Sequence, residues 1–185
     1  MRLFVAVELS EPARERVTIG ARRRDEWPPA SWVRKENLHL TLTFLGEVES
    51  AAAARLAAAL RRRCGELAPF EARLDGAGAF PPWGDLRVLW LGVEPAAQLT
   101  ELARFASEAC GEIGLASDER AFAPHLTLAR CRPPWDSGWR ARLGRLAPPE
   151  PVGFEVGSVA VLASQLGAAG LRYSRQAEVR LGAAA

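Results

Sequence analysis

The chain contains two histidines, and both open the same four-residue string: His39-Leu40-Thr41-Leu42 and His125-Leu126-Thr127-Leu128. By chance a histidine here would precede Leu-Thr-Leu only about once in two thousand, so the double occurrence argues for an internal repeat. A lone histidine beside a threonine is usually a hydrogen-bonded structural residue. Two in identical settings, with no third histidine in the chain, reverse that expectation. Near neutral pH one imidazole can be neutral while the other is protonated, so such a pair suits a reaction in which one group removes a proton and another supplies one. The threonine hydroxyls suit oxygens that gain negative charge in a transition state. Together these residue types point to phosphodiester chemistry without a metal. A zinc site needs at least a third ligand, and apart from Glu36 neither segment has a cysteine or carboxylate at familiar spacing.

Strand alternation would set these groups out in order. It puts His39, Thr41 and Thr43 on one face and Leu38, Leu40, Leu42 and Phe44 on the other. His125 and Thr127 likewise oppose Leu126 and Leu128. Each copy would then offer an imidazole and a hydroxyl backed by a leucine stripe that anchors the strand. If the two strands line opposite walls of a cleft, the pairs converge.

The remaining sequence supplies the elements that must hold those strands. Arg2 to Glu8 suits a strand buried on most of both faces, and Ser10-Glu11-Pro12 starts a helix running to about Arg24. Asn37 to Phe44 is a strand closed by Gly46. Ser50 to Cys64 is a helix with Leu56 and Leu60 at helical spacing. Phe70 to Phe80 and Leu86 to Val93 are strands around a Pro-Pro-Trp-Gly-Asp turn, and Pro95 to Ile113 is a helix stopped by Gly114. His125 to Arg130 is a strand followed by a loop, and Val152 to Leu162 and Leu171 to Leu181 are the last two strands. The order β-α-β-α-β-β-α-β-loop-β-β makes an α+β protein. No clean linker divides it, so if it has two lobes, the chain crosses between them more than once.

Composition narrows the function. With 49% hydrophobic and 25% charged residues the chain has material for a sizeable core. A net charge of +2 gives no strong overall positive field, so an anionic ligand must be held locally. Lys35 is the only lysine, and arginine suits bidentate phosphate contacts. Lys35-Glu36-Asn37-Leu38 does not match a lysine-adenylate motif, and no glycine-rich phosphate loop ending in lysine is present, so neither ATP nor another cofactor is expected. Cys64, Cys110 and Cys131 read as reduced and buried or half-buried. No apolar run is long enough to span a membrane and no secretory signal is evident, so a cytoplasmic protein is expected. Phe44, Phe122 and Trp135 could stack on a base, although aromatics in strands are more often core.

The strings HLTLTFLG at 39–46 and PHLTLAR at 124–130 resemble the paired His-x-Thr-x motifs of the two-histidine (2H) phosphoesterases. RLFVAVEL, WVRKENLHLTLTFLGEV, GAFPPWGDLRVLWLGV and ERAFAPHLTLAR resemble, in that order, segments of the RNA 2',3'-cyclic phosphodiesterases, historically called 2'-5' RNA ligases. The resemblance spans nearly the whole chain. It implies a bilobal α+β fold over residues 1–185, with two antiparallel-sheet lobes, outer helices and a central cleft to which each lobe brings one motif; a tail at 182–185 is expected to be disordered. It implies His39 as proton donor, His125 as proton acceptor, and Thr41 and Thr127 as holders of phosphate oxygens. Arg130 also matches a family position, yet strict alternation points it away from His125 unless the strand bends after Leu128. The implied substrate is RNA with a 2',3'-cyclic phosphate end, tRNA fragments among them, with no membrane and no obligate protein partner. Alternatives within the same reading are another cyclic phosphate, a 2',5'-linked oligonucleotide, or a non-enzymatic module that binds RNA ends.

Overall fold

From Leu3 to Val7 every side chain is apolar, so the segment can be satisfied only by a strand covered on both faces. A computed structural model, which describes residues 1–20, 30–82, 85–116, 121–132, 138–167 and 170–182, places it so. Strand β1 (Arg2–Glu8) sends Leu3, Val5 and Val7 into the main core, while Phe4 and Ala6 form a smaller cluster with Ala160 and Leu162 on the other face. Among the described residues the order is β1, α1 (Glu11–Gly20), β2 (Ala30–Trp32), β3 (His39–Glu47), α2 (Ala52–Cys64), β4 (Phe70–Phe80), β5 (Val88–Glu94), α3 (Ala96–Glu112), β6 (His125–Cys131), α4 (Trp139–Arg142), β7 (Val152–Val156), β8 (Ser158–Gly167) and β9 (Gly170–Arg180).

The strands form two sheets, ordered β3-β1-β8-β9 and β2-β6-β5-β4-β7, and every pairing is antiparallel. The chain therefore passes between sheets after β1, β2, β3 and β7, as expected of two lobes without a linker. Helices α2 and α3 pack on each other with Leu56, Leu60, Leu99, Leu102 and Ala106 fully buried. At roughly 1.5–3 kcal/mol for each buried leucine, this layer is a large part of what holds the sheets in place.

Three elements depart from the sequence expectation. The run from Val152 to Leu162 is two strands, because the chain leaves one sheet at Gly157 and enters the other. Ala30–Trp32 forms an unforeseen short strand against Ala129–Cys131. The expected loop after β6 contains α4 and a 3-10 turn at Leu143–Leu146, with Trp139 and Leu146 buried as anchors. The end of the first helix at Arg24 and the tail at 183–185 lie outside the described residues. The three cysteines are free thiols, Cys64 and Cys110 buried and Cys131 half-buried. No described helix is long and apolar enough to cross a membrane.

Candidate active site

β3 is the edge strand of its sheet, and β6 is covered on its outer side only by β2, which pairs with Ala129–Cys131 and leaves the His125 end open. These two edges touch each other, and the motifs meet across them. Leu40 and Leu42 on β3 and Leu126 and Leu128 on β6 are buried, which fixes the opposite faces toward the cleft. Thr41, His125 and Thr127 line one cleft of about 820 Å³, and His39 lines an adjoining recess of about 250 Å³. Arg130 lines the larger cleft, and its charge acts on both imidazoles.

The position of Arg130 follows from a bulge. Trp90 pairs with Thr127 and Leu89 with Ala129, so Leu128 is the extra residue on β6. Leu128 and Ala129 are both buried, alternation is reset, and Arg130 emerges on the face of His125 and Thr127. The bend that the sequence left conditional is therefore present. β3 carries the same device: Ala6 pairs with Thr41 and Val5 with Thr43, which makes Leu42 the extra residue. This corrects the expected faces of Thr43 and Phe44. Both line the cleft, but Thr43 is buried with no hydrogen-bond partner for its hydroxyl among the described residues, while Phe44 is 44% exposed. Bulges near sheet edges commonly re-aim a side chain in this way.

Both imidazoles are held by the same bond. His39 Nδ1 donates to the carbonyl of Asn37 at 2.7 Å, and His125 Nδ1 donates to the carbonyl of Ala123 at 2.7 Å. A carbonyl can only accept, so Nδ1 carries the hydrogen and Nε2 is the atom left for chemistry. His39 Nε2 lies 3.1 Å from Thr41 Oγ1. His39 sits between Phe4 and Tyr173, with both ring centroids 5.0 Å away, and His125 meets Phe80 edge-on at 5.1 Å with Trp90 at 6.3 Å. Gly78 makes room for the Trp90 ring, which passes 2.2 Å from where a Cβ would stand.

These apolar walls set the acidity. Burial pushes His39 from its ordinary 6.5 down to about 4, partly offset by the bond to Asn37 and by the Glu8 carboxylate, while Arg130 and Arg14 push the same way as burial. His125 is lowered by burial and by Arg130, with the Ala123 carbonyl opposing. Glu8 is the register partner of His39 across β1 and β3, lines the same recess, and is held by Arg14 at 3.4 Å and Arg175 at 2.7 Å.

All five residues singled out from the sequence thus face the two adjoining spaces. Phe44 and Phe122 line the larger one, and Trp135 lies outside the described residues. Sequence reasoning missed Glu8, Tyr173, Phe80, Trp90 and Arg87. Four of them sit in the RLFVAVEL and GAFPPWGDLRVLWLGV strings that carried the resemblance, but their place beside the histidines depends on strand pairing. Among the described residues no group of three or more His, Cys, Asp or Glu side chains could hold a metal ion.

Comparison with known proteins shows the family to which the chain belongs. An RNA 2',3'-cyclic phosphodiesterase of Methanothermobacter thermautotrophicus is 33% identical over 183 residues, covering 98% of this chain and 99% of the relative. A protein of the same name from Geobacillus stearothermophilus is 38% identical over 128 residues, 69% of this chain but only 41% of the relative. The crystal structure of E. coli LigT complexed with 3'-AMP matches with a TM-score of 0.76 and 28% identity over 97% of each chain. The family model of the 2'-5' RNA ligase superfamily matches residues 9–168, and the chain belongs to that superfamily.

Proposed function

We propose that this protein hydrolyses the 2',3'-cyclic phosphodiester end of RNA to a 2'-phosphomonoester, using His125 as general base and His39 as general acid. The observation that carries the reading is a pair of identically held imidazoles, each with Nε2 free of the backbone, lining adjoining spaces under the charge of one arginine, Arg130. The names of the relatives support the substrate class, and the bound 3'-AMP of E. coli LigT supports a fold that accommodates a nucleotide phosphate.

In this reading His125 Nε2 takes a proton from water as the oxygen attacks phosphorus. The bond from phosphorus to the ribose 3'-oxygen breaks, and His39 Nε2 delivers a proton to that departing oxygen. Thr41, Thr127 and Arg130 hold the phosphoryl oxygens as charge builds on them. The assignment of acid and base draws support from Glu8, because among the described residues it is the carboxylate whose field acts on His39 and favours its protonated form, and none so acts on His125. With a 5'-hydroxyl attacking in place of water, the same groups would join the cyclic end to it through a 2'-5' linkage, the reverse of 2'-5' phosphodiester cleavage, without a nucleotide cofactor. RNA ends, including those of tRNA fragments, are the expected partners.

The test is incubation with an RNA bearing a 2',3'-cyclic end in the presence of EDTA. A 2'-phosphate formed at an undiminished rate is expected. A 3'-phosphate product, or a loss of rate restored by a divalent cation, would overturn the mechanism.

A further inference from the structure

The larger cleft extends well beyond the motif residues, along Phe80, Arg87, Thr100, Arg104 and Phe122. Several arginines elsewhere are matched by carboxylates: Arg2 with Glu47, Arg55 with Glu49, and Arg62 and Arg63 with Glu112. The described lining of the cleft includes three arginines and no carboxylate. One of the three, Arg104, is tied to Glu108 and approached by Glu101 at 3.9 Å, so its charge is largely spent. Arg87 and Arg130 have no ion-pair partner among the described residues. Two uncompensated guanidinium groups in one concave, partly apolar space concentrate positive potential where the chain as a whole is only +2.

Arg130 is accounted for by the cyclic phosphate, since its charge reaches both imidazoles. Arg87 acts on neither. Its backbone is nevertheless fixed from both sides, with its N–H donating to Phe80 at 2.8 Å and its carbonyl accepting from Cys131 at 2.8 Å. That leaves an exposed guanidinium on a rigid base at the junction of β4, β5 and β6. Phe44, exposed at 44%, and Phe122 line the same space. A second fixed cation with aromatic faces nearby is the pattern by which proteins track a single strand, phosphates on arginine and bases on rings.

We propose that Arg87 is a specificity residue that binds an internucleotide phosphate of the strand leading to the cyclic end, so that the enzyme favours a cyclic phosphate on an oligonucleotide over one on a single nucleoside. The proposal rests on the cyclic phosphodiesterase reading. A nucleoside 2',3'-cyclic phosphate has no internucleotide phosphate and cannot use this contact.

The experiment compares kcat/KM for a short RNA with a 2',3'-cyclic end and for a nucleoside 2',3'-cyclic phosphate, in the unaltered protein and in Arg87→Gln and Arg87→Lys. In Arg87→Gln the ratio of oligonucleotide to nucleoside kcat/KM should fall about tenfold, as expected for one lost charge-assisted contact. The salt dependence of oligonucleotide binding should lessen by about 0.7 in logarithmic slope. Arg87→Lys should keep most of the ratio, because it retains the charge. An unchanged ratio in Arg87→Gln, or an equal loss on both substrates, would overturn the proposal. Binding of an oligonucleotide ending in a 2'-phosphate, followed by fluorescence anisotropy, gives a readout independent of turnover. Absent turnover on both substrates would defeat the hydrolase reading, whereas equal affinity of unaltered and Arg87→Gln protein for that oligonucleotide would defeat this one alone.

Discussion

The His39 and His125 neighbourhoods share their backbone and differ in nearly everything that surrounds it. Each histidine begins its strand, donates Nδ1–H to the carbonyl two residues earlier, and is followed by a bulge at the second leucine of the motif. After the bulge the copies diverge: Thr43 and Phe44 on β3 stand where Ala129 and Arg130 stand on β6. His39 is packed between Phe4 and Tyr173 and faces Glu8, whereas His125 meets Phe80 and Trp90 and has Gly92 as its register partner. Thr41 is bonded to its histidine, while among the described residues no such bond joins Thr127 to His125. A repeated motif thus delivers two equivalent imidazoles, and other strands make them unequal.

The largest effects should come from what the copies share. His39→Ala and His125→Ala should each lower turnover of a cyclic-ended RNA by about a hundredfold or more, with the circular dichroism of the fold retained. Near-normal turnover in either would remove that histidine from the chemistry. The hydroxyls should matter less and unequally. Thr41→Val and Thr127→Val should each cost roughly tenfold, with the larger loss at Thr41, whose hydroxyl also meets His39 Nε2. Equal losses would show that this bond has no part in turnover.

Glu8 sharpens the comparison through pH. A free-protein His39 near 4 is neutral at pH 7, and an anionic diester favours its protonated form, so the alkaline limb of kcat should lie at higher pH than that of kcat/KM. Glu8→Gln removes a charge that favours the imidazolium, so the alkaline limb should move to lower pH. Glu8→Asp, which keeps the charge, should restore it. The groups facing His39 with opposite effect, Arg130 and Arg14, remain in both variants. An unmoved limb in Glu8→Gln would mean that Glu8 serves only its bonds to Arg14 and Arg175.

The smallest effect concerns the bulge. Ala129 is apolar, but its counterpart Thr43 buries a hydroxyl without a partner among the described residues. Thr43→Val keeps the shape and removes that desolvated group, so it should raise stability by about 1 kcal/mol in urea unfolding. A loss of stability would reveal a partner for the hydroxyl.

Much of this site was legible in the sequence because its main signal is local. Two copies of His-Leu-Thr-Leu state residue type, strand and leucine anchor within four positions, and the α+β order follows from periodicity and turn residues. Arg130 and Phe44 were not settled, because a single bulge residue reverses which face follows it, and Leu42 and Leu128 look like any other leucine in a strand. Glu8 and Tyr173 were invisible as site residues for a different reason. They lie 31 positions before and 134 after His39 in the chain, and only the β3-β1-β8-β9 order brings them to it. The crossing at Gly157 was hidden likewise, since an apolar run looks the same whether it stays in one sheet or changes to another.

The division of labour between the two histidines is tested most directly with a cyclic end in which sulfur replaces the departing 3'-oxygen. A thiolate leaves without being protonated, so the general acid becomes dispensable while the base that activates water does not. This substrate should restore most of the rate lost by His39→Ala and leave His125→Ala impaired. Restoration of His125→Ala alone would reverse the two roles, and restoration of neither would contradict acid catalysis by a histidine at this site.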